Sequence, residues 1–496
     1  MRLAAISLLL SAGLRAEVSL PALFSDHMVI QRNLPVHVWG KSSPGEHVTV
    51  SFRGEERAAT ADDLGRWSVY MPEGDPGGPF AMTVRGSNVV TLKDVLVGDV
   101  WVASGQSNME MAVSSVDSAE QEIAAARHPK IRLFHVGRNV SNYPLDDVAA
   151  RGWTECSPET VAEFSGVAYF FGRHLEEKLN VPMGLISTSW GGTPAEAWTS
   201  LHALSADASL MPAFASWSDM MDRYGETKAR RDQQIADWQK AVDRAKASGT
   251  KPPSLPWAPN ERFSWSPAGL YNAMIAPLTP FPIRGAIWYQ GESNATKTGA
   301  PLYAHLFQTM IQDWRRAWGV GDFPFLFVQL ANYKTGPDAK WPELREAQRQ
   351  TLALRNTGMA VTIDIGDAVD IHPKNKQEVG RRLALAARHI AYGETLDYSG
   401  PLFRQAVKDG SSIRVWFDHA AGLATRGGGP LRGFEIAGRD GKYVVAEAKI
   451  EGGSVVLSSA GVPEPQSVRY AWSDNPDGNL VNATGLPASP FHSGKD

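Results

Sequence analysis

The stretch WVASGQSNMEM, residues 101–111, begins like a buried β-strand and then becomes polar. Ser107 stands in it between a Gly-Gln pair and Asn108. In open parallel sheets, ligands bind at the carboxyl ends of the strands. The pattern therefore predicts that Ser107 lies at the functional edge of such a sheet. The alternative is that Ser107 and Asn108 only cap a helix that follows the strand.

Outward from this stretch, buried β-runs alternate with amphipathic helical runs over residues 94–393, which is typical of a parallel sheet covered on both faces. A charged and then breaker-rich segment at about 204–262 interrupts the alternation and predicts an insertion beside the site. Residues 17–93 and 394–496 show short strands separated by turn residues, which predicts a β-rich domain on each side. The candidate strands of the central domain are VLVGDVWVAS, MGLISTS, RGAIWYQ, FPFLFVQL and MAVTIDIG.

Length and composition limit which classes of protein this chain can belong to. The chain has 496 residues, too many for one ordinary core, and its net charge of -4 offers no attraction for nucleic acid or an anionic membrane. Residues 1–16 combine Arg2, an apolar run and a final small residue, which predicts a signal peptide and an exported protein, periplasmic or secreted. Cys156 is the only cysteine, which excludes an intramolecular disulfide. The oligomeric state stays open.

A serine nucleophile needs a base, and His372 is the histidine that best fits the sheet edge. It lies in VTIDIGDAVDIHPKNKQEVG, which leaves a predicted strand, forms a loop and enters a helix. Asp370 is the preferred carboxylate to orient the imidazole. A backbone carbonyl in its place would leave a Ser-His dyad. Asp364, Asp367 and Asp370 with His372 also allow a second reading, a site for a hard metal cation.

Donors to the oxyanion of an acyl-transfer intermediate are expected at neighbouring strand ends. STSWGGTPAEAW supplies the Gly191 and Gly192 amides, and AIWYQGESNA supplies the side chains of Gln290 and Asn294. The Ser107 amide is the remaining candidate. The alternative for the glycines is a tight turn.

Aromatic residues flank the same polar stretches, and aromatic faces beside polar groups suit sugars. Core packing is the alternative for each of them. The residues expected to contact substrate are Gln106, Trp190, Glu196, Trp288 and Glu292.

Five segments, in this order, resemble the sialate O-acetylesterase-like (SASA) branch of the SGNH, or GDSL-like, hydrolases. The resemblance implies a three-layer αβα, flavodoxin-like catalytic domain in which the serine of GQSN, Ser107, is the nucleophile and the histidine of IHP, His372, is the base. Many SGNH hydrolases carry the acid three residues before the histidine, where this chain has Val369. The segments are LFSDHMVIQRNLPVHVWGKSSPGEHVTV, GDVWVASGQSNMEM, STSWGGTPAEAW, AIWYQGESNA and DIHPKNKQEVGRRLA.

The residues and the resemblance together predict an exported serine esterase that removes O-acetyl groups from carbohydrates and requires neither a metal nor an organic cofactor. The first expectation for the substrate is 9-O-acetylated sialic acid. Acetylated xylan or xyloglucan is the alternative substrate, and a non-catalytic carbohydrate-binding protein is the alternative function.

Overall fold

The structure is a computed structural model that describes residues 17–253 and 264–494. The predicted signal peptide and residues 254–262 of the predicted insertion lie outside the described residues. Within these two ranges, none of the helices has the length and apolarity needed to cross a lipid bilayer.

The described chain begins with a β-rich module. Its fifth strand, Arg66–Met71, alternates buried and exposed residues, with Trp67, Val69 and Met71 facing inward. The third strand pairs with the fourth and the sixth, while the second and fifth form a separate ribbon. The strands are β1 (Val29–Gln31), β2 (Val36–Lys41), β3 (His47–Phe52), β4 (Glu55–Thr60), β5 (Arg66–Met71) and β6 (Gly77–Arg85).

The next strand, β7 (Val89–Gly105), belongs to two sheets at once. Its first part pairs antiparallel with β6, and Leu96–Gly98 pair in parallel with β1. Its later residues form the middle of the central sheet. The predicted domain boundary at residue 93 therefore falls inside a strand, and the structure differs from the prediction because 17 residues of extended chain serve both modules.

The central sheet has the order β13-β12-β11-β7-β10-β8-β9, parallel except for the β8–β9 pair. Strand β8 was not among the candidate strands, because its charged residues, Lys130 and Arg132, obscure the apolar pattern. The strands are β8 (His128–Val136), β9 (Ala150–Cys156), β10 (Met183–Ser189), β11 (Gly285–Tyr289), β12 (Phe325–Val328) and β13 (Thr357–Ala360).

Helices cover both faces of this sheet. Trp101 of β7 contacts Phe171 of the fourth helix, whereas Trp288 of β11 points the other way and packs against Phe307 and Trp314 of the eighth. This confirms the predicted three-layer αβα domain. The helices are α1 (Ser107–Glu110), α2 (Ala119–Ala125), α3 (Pro158–Val161), α4 (Gly166–Leu179), α5 (Leu201–Ser205), α6 (Met211–Asp222), α7 (Tyr224–Ala247), α8 (Gly299–Trp318), α9 (Trp341–Gln350) and α10 (Lys376–Ile390).

A second β-rich module follows and is anchored by one buried cation. Fully buried Arg345 of α9 donates to the carbonyls of Leu330 and Ala331 and, across the junction, to those of Ser473 and Asp474. The module contains two antiparallel sheets of four strands and one pair. Its strands are β14 (Leu402–Asp409), β15 (Ser412–Asp418), β16 (Ala424–Thr425), β17 (Phe434–Ala437), β18 (Tyr443–Val445), β19 (Glu447–Glu451), β20 (Ser454–Ser458), β21 (Ser467–Tyr470), β22 (Leu480–Val481) and β23 (Phe491–His492).

Candidate active site

Ser107 follows the end of β7 and starts helix α1, at the carboxyl edge of the central sheet. Gly105 pairs in register with Ser189 of β10 and Tyr289 of β11, so the segments after all three strands begin at the same level. Gly105 has a φ of 137°, and a Cβ on it would lie 2.2 Å from the Tyr289 carbonyl oxygen. Only glycine fits this turn, which presents Ser107 beyond the strand end.

The side chains of Ser107 and His372 meet at this edge. The Nε2 atom of His372 lies 2.9 Å from Ser107 Oγ, within hydrogen-bond distance. Burial lowers the pKa of His372 below its ordinary value of 6.5, and the nearby Asp370 carboxylate raises it in part. A lowered pKa favours the neutral imidazole, the form that can accept a proton from a hydroxyl.

Asp370 stands near the imidazole without a hydrogen bond to it. Its Oδ1 atom is 3.6 Å from His372 Nδ1 and instead accepts the backbone N–H of His372 at 2.9 Å. The side chains of Asp370 and His372 are 49% and 42% exposed, so water screens the charge of the carboxylate. The geometry is that of a Ser-His pair with a nearby carboxylate, and the place of Asp370 in a triad stays a prediction.

The alternative of a hard-metal site in this loop is not supported. Asp364 is buried in ion pairs with Arg382 and Arg426. Over residues 17–253 and 264–494, no three His, Cys, Asp or Glu side chains come together as metal ligands would.

Gly191 lies directly beside the serine, as expected, but its amide is engaged. A Cβ on Gly191 would lie 3.2 Å from Ser107 Cβ, and the Gly191 N–H donates to Glu110 Oε2 at 2.8 Å. Glu110 is held in turn by Arg138, whose Nε donates to Glu110 Oε1 at 2.7 Å. For Gly191 to donate to an oxyanion, the Glu110 carboxylate must first move away. Gly192 adopts a φ of 73°, and its role as a donor stays a prediction.

Gln290 and Asn294 are both bound to other protein groups in this structure, and their predicted oxyanion roles stay predictions. Gln290 is fully buried, and its Nε2 already donates to Thr193 O and Asn294 Oδ1. Asn294 Nδ2 donates to Glu196 Oε2 at 2.9 Å, and its Oδ1 accepts the Ala195 N–H at 2.9 Å. These amides connect the segments after β10 and β11, and both hydrogens of the Gln290 amide are engaged.

The residues that were predicted to contact substrate differ in how accessible they are. Trp288 is fully buried among aromatic residues on one face of the sheet, so its predicted contact with substrate is wrong. Gln106 is 3% exposed and accepts the Ser293 N–H at 3.3 Å, which makes it a link between segments. Trp190 is half-buried, with the Arg138 guanidinium 5.7 Å from its ring. Burial raises the pKa of Glu196 and Glu292, so both carboxyls favour the neutral acid.

Two residues that the sequence reasoning missed connect the serine to the histidine loop. Asn108 Nδ2 donates to Glu292 Oε1 at 2.7 Å and to the carbonyl of Ile371, next to His372, at 3.0 Å. Asn108 Oδ1 accepts from fully buried Lys376 Nζ at 2.5 Å. Burial lowers the pKa of Lys376 to about 7. The adjacency of Asn108 to Ser107, and of Lys376 to the histidine loop, was the available signal.

Comparisons with known proteins show the family of the chain. Residues 245–389 match the protein family described as "Carbohydrate esterase, sialic acid-specific acetylesterase". The chain is 34% identical over 421 residues to the sialate O-acetylesterase of Mus musculus, covering 76% of this chain and 74% of that protein. The chain belongs to the sialate O-acetylesterase family. The Homo sapiens member of the family is 32% identical over 418 residues, covering 76% of this chain and 72% of that protein.

A solved structure extends the likeness over nearly the whole chain. The crystal structure of a carbohydrate acetylesterase from Xanthomonas citri superimposes with a TM-score of 0.84 at 40% identity, covering 97% of this chain and 100% of that one. Together with the membership of the sialate O-acetylesterase family, this identifies the protein as a carboxylic ester hydrolase.

Replacing Asp370 with Asn should lower kcat/KM for an acetyl ester by no more than about tenfold, because a half-exposed, screened carboxylate contributes little. The loss of its charge should lower the pKa of His372 further, so the acidic limb of the kcat/KM–pH profile should move to lower pH. Asp367→Asn, in the same loop, is the matched control and should leave the limb in place. A thousandfold loss in Asp370→Asn would instead indicate a tight triad.

Replacing Asn108 with Ala should lower kcat by about 10- to 100-fold, because the loss of its bond to Ile371 lets the histidine loop move relative to Ser107. KM should change far less. Gln405→Ala, on exposed β14, is the control for the loss of an amide. Steady-state kinetics give kcat and KM for the wild type and both variants, and circular dichroism verifies that the variants are folded. A variant with wild-type kcat would show that Asn108 does not position the loop.

Proposed function

We propose that the protein is a carbohydrate O-acetylesterase that acts through an acetyl-enzyme on Ser107. The observation that carries the proposal is the 2.9 Å contact between Ser107 Oγ and His372 Nε2 at the carboxyl edge of the sheet. Membership of a family whose curated members are named sialate O-acetylesterase, and the likeness to a carbohydrate acetylesterase, support it. O-acetylated sialic acid is the substrate that the names of these relatives indicate.

The proposed reaction uses Ser107 as the nucleophile and His372 as the base. Ser107 Oγ attacks the acetyl carbonyl carbon while His372 Nε2 takes its proton. The tetrahedral intermediate then expels the sugar oxygen, which takes that proton from His372. Water gives a proton to His372 as it attacks the acetyl-serine. The second tetrahedral intermediate then releases acetic acid, and Ser107 Oγ takes the proton back from His372. The Ser107 N–H, at the start of α1, and the Gly191 N–H, once released by Glu110, are the proposed donors to the oxyanion.

Replacing Ser107 with Ala should lower acetate release by about a thousandfold or more, because the nucleophile is lost while binding groups remain. Acetate is measured from 9-O-acetylated sialic acid, acetylated xylo-oligosaccharides and 4-nitrophenyl acetate. Ser104→Ala, in β7 and buried, is the matched control for the loss of a hydroxyl. Near-normal activity in Ser107→Ala would exclude the serine mechanism. A wild-type protein inactive on all three substrates would favour the carbohydrate-binding alternative.

We also propose that the protein is exported, on the strength of the signal-peptide pattern in residues 1–16. Intact-mass measurement of the protein recovered from the native periplasm and culture medium should give a chain that starts near Glu17. Recovery of the full-length chain from the cytoplasm alone would contradict export.

A further inference from the structure

A cavity of about 370 Å³ is walled by segments that follow two strands of the central sheet. Pro194 and Glu196 come from the segment after β10, and Ser293 and Asn294 from the segment after β11. Strands β10 and β11 are the two neighbours of β7, the strand that ends before Ser107. The cavity therefore lies at the same sheet edge as the candidate nucleophile, and its volume suits a sugar ring.

Hydrogen bonds join this wall to the residues around Ser107. The Ser293 N–H donates to Oε1 of Gln106, the residue before Ser107, at 3.3 Å. Asn294 connects the two segments through Glu196 and the Ala195 N–H. A ligand in the cavity thus contacts residues whose positions are coupled to that of Ser107.

The remaining wall has the mixture of groups that recognises a sugar. Helix α6 of the predicted insertion contributes Trp217 and Met220, and α8 contributes Leu302 and Leu306. The Trp217 indole N–H is buried and has no hydrogen-bond acceptor among the described residues. A buried donor without a partner is costly, and a sugar hydroxyl in the cavity would supply the acceptor. The apolar side chains suit the C–H faces of the ring.

The described residues of the wall offer no positive charge to an acidic sugar. Glu196 is the one ionisable side chain among the described residues of the wall. Arg138 and Lys376, whose partners in this structure are Glu110 and Asn108, are not among the residues that line the cavity. The carboxylate of a sialic acid would lose its hydration here and find no cationic partner among the described wall residues.

We propose that this cavity binds the uncharged sugar ring of an acetylated neutral glycan, with Trp217 as its specificity-determining residue. The inference rests on the proposed esterase function, and it differs from the sialic acid that the names of the relatives indicate. It gives the inserted helix α6 a role, as the outer wall of a glycan subsite that a small aryl ester does not need.

The test compares kcat/KM for acetylated xylo-oligosaccharides, 9-O-acetyl-N-acetylneuraminic acid and 4-nitrophenyl acetate with the full-length protein. The wild type should prefer the neutral oligosaccharide to the sialic acid. Trp217→Ala should lower the ratio of oligosaccharide to aryl acetate activity by about tenfold, as expected for the loss of an aromatic contact. Trp416→Ala, 40% exposed on β15, is the matched control and should keep the wild-type ratio.

A second variant tests the charge argument from the opposite direction. Met220→Lys places an ammonium group in the wall and should shift the preference toward the sialic acid. If Trp217→Ala and Trp416→Ala gave the same ratio of oligosaccharide to aryl acetate activity, the proposed subsite would be wrong. If the wild type preferred the sialic acid, the proposal that the subsite takes a neutral sugar would be wrong. Both outcomes leave the esterase proposal standing, whereas that proposal fails if the wild type releases acetate from no sugar.

Discussion

Strand β7 is the constraint on which the rest of the molecule depends. Its 17 residues pair with the N-terminal module and then enter the middle of the central sheet, so one strand belongs to both. Its last residue, Gly105, is in register with the last residues of β10 and β11. Because of that register, the segments after β7, β10 and β11 begin at the same level of one sheet edge. Ser107 lies in the middle segment, between those that follow β10 and β11.

Buried polar side chains connect the segments that form the site. Gln106, Asn108 and Asn294 each join two segments that are distant in sequence. Buried amides of this kind are costly unless every donor finds an acceptor, so they permit few alternative arrangements. The Gly191 N–H likewise has an acceptor, the Glu110 carboxylate.

Much of the fold and of the candidate site was predictable, because strand ends and polar motifs are local signals. Five parallel strands, the insertion helix and the approach of Ser107 to His372 follow from such signals. Strand β8 did not, because Arg132 is polar in sequence yet buried against Asp94, a partner 38 residues away. Trp288 was misplaced because a wholly apolar strand does not show which face of the sheet a side chain will take.

By itself the sequence determined the order of modules, the serine at a strand end, the histidine after another strand, and the family. Those features are encoded in contiguous residues. Only the tertiary structure decided which groups surround the pair: the 3.6 Å gap to Asp370, the capture of Gly191 by Glu110, and the Lys376–Asn108–Glu292 link. Each of these depends on where distant segments meet, and on how burial changes the charge of the groups that meet there.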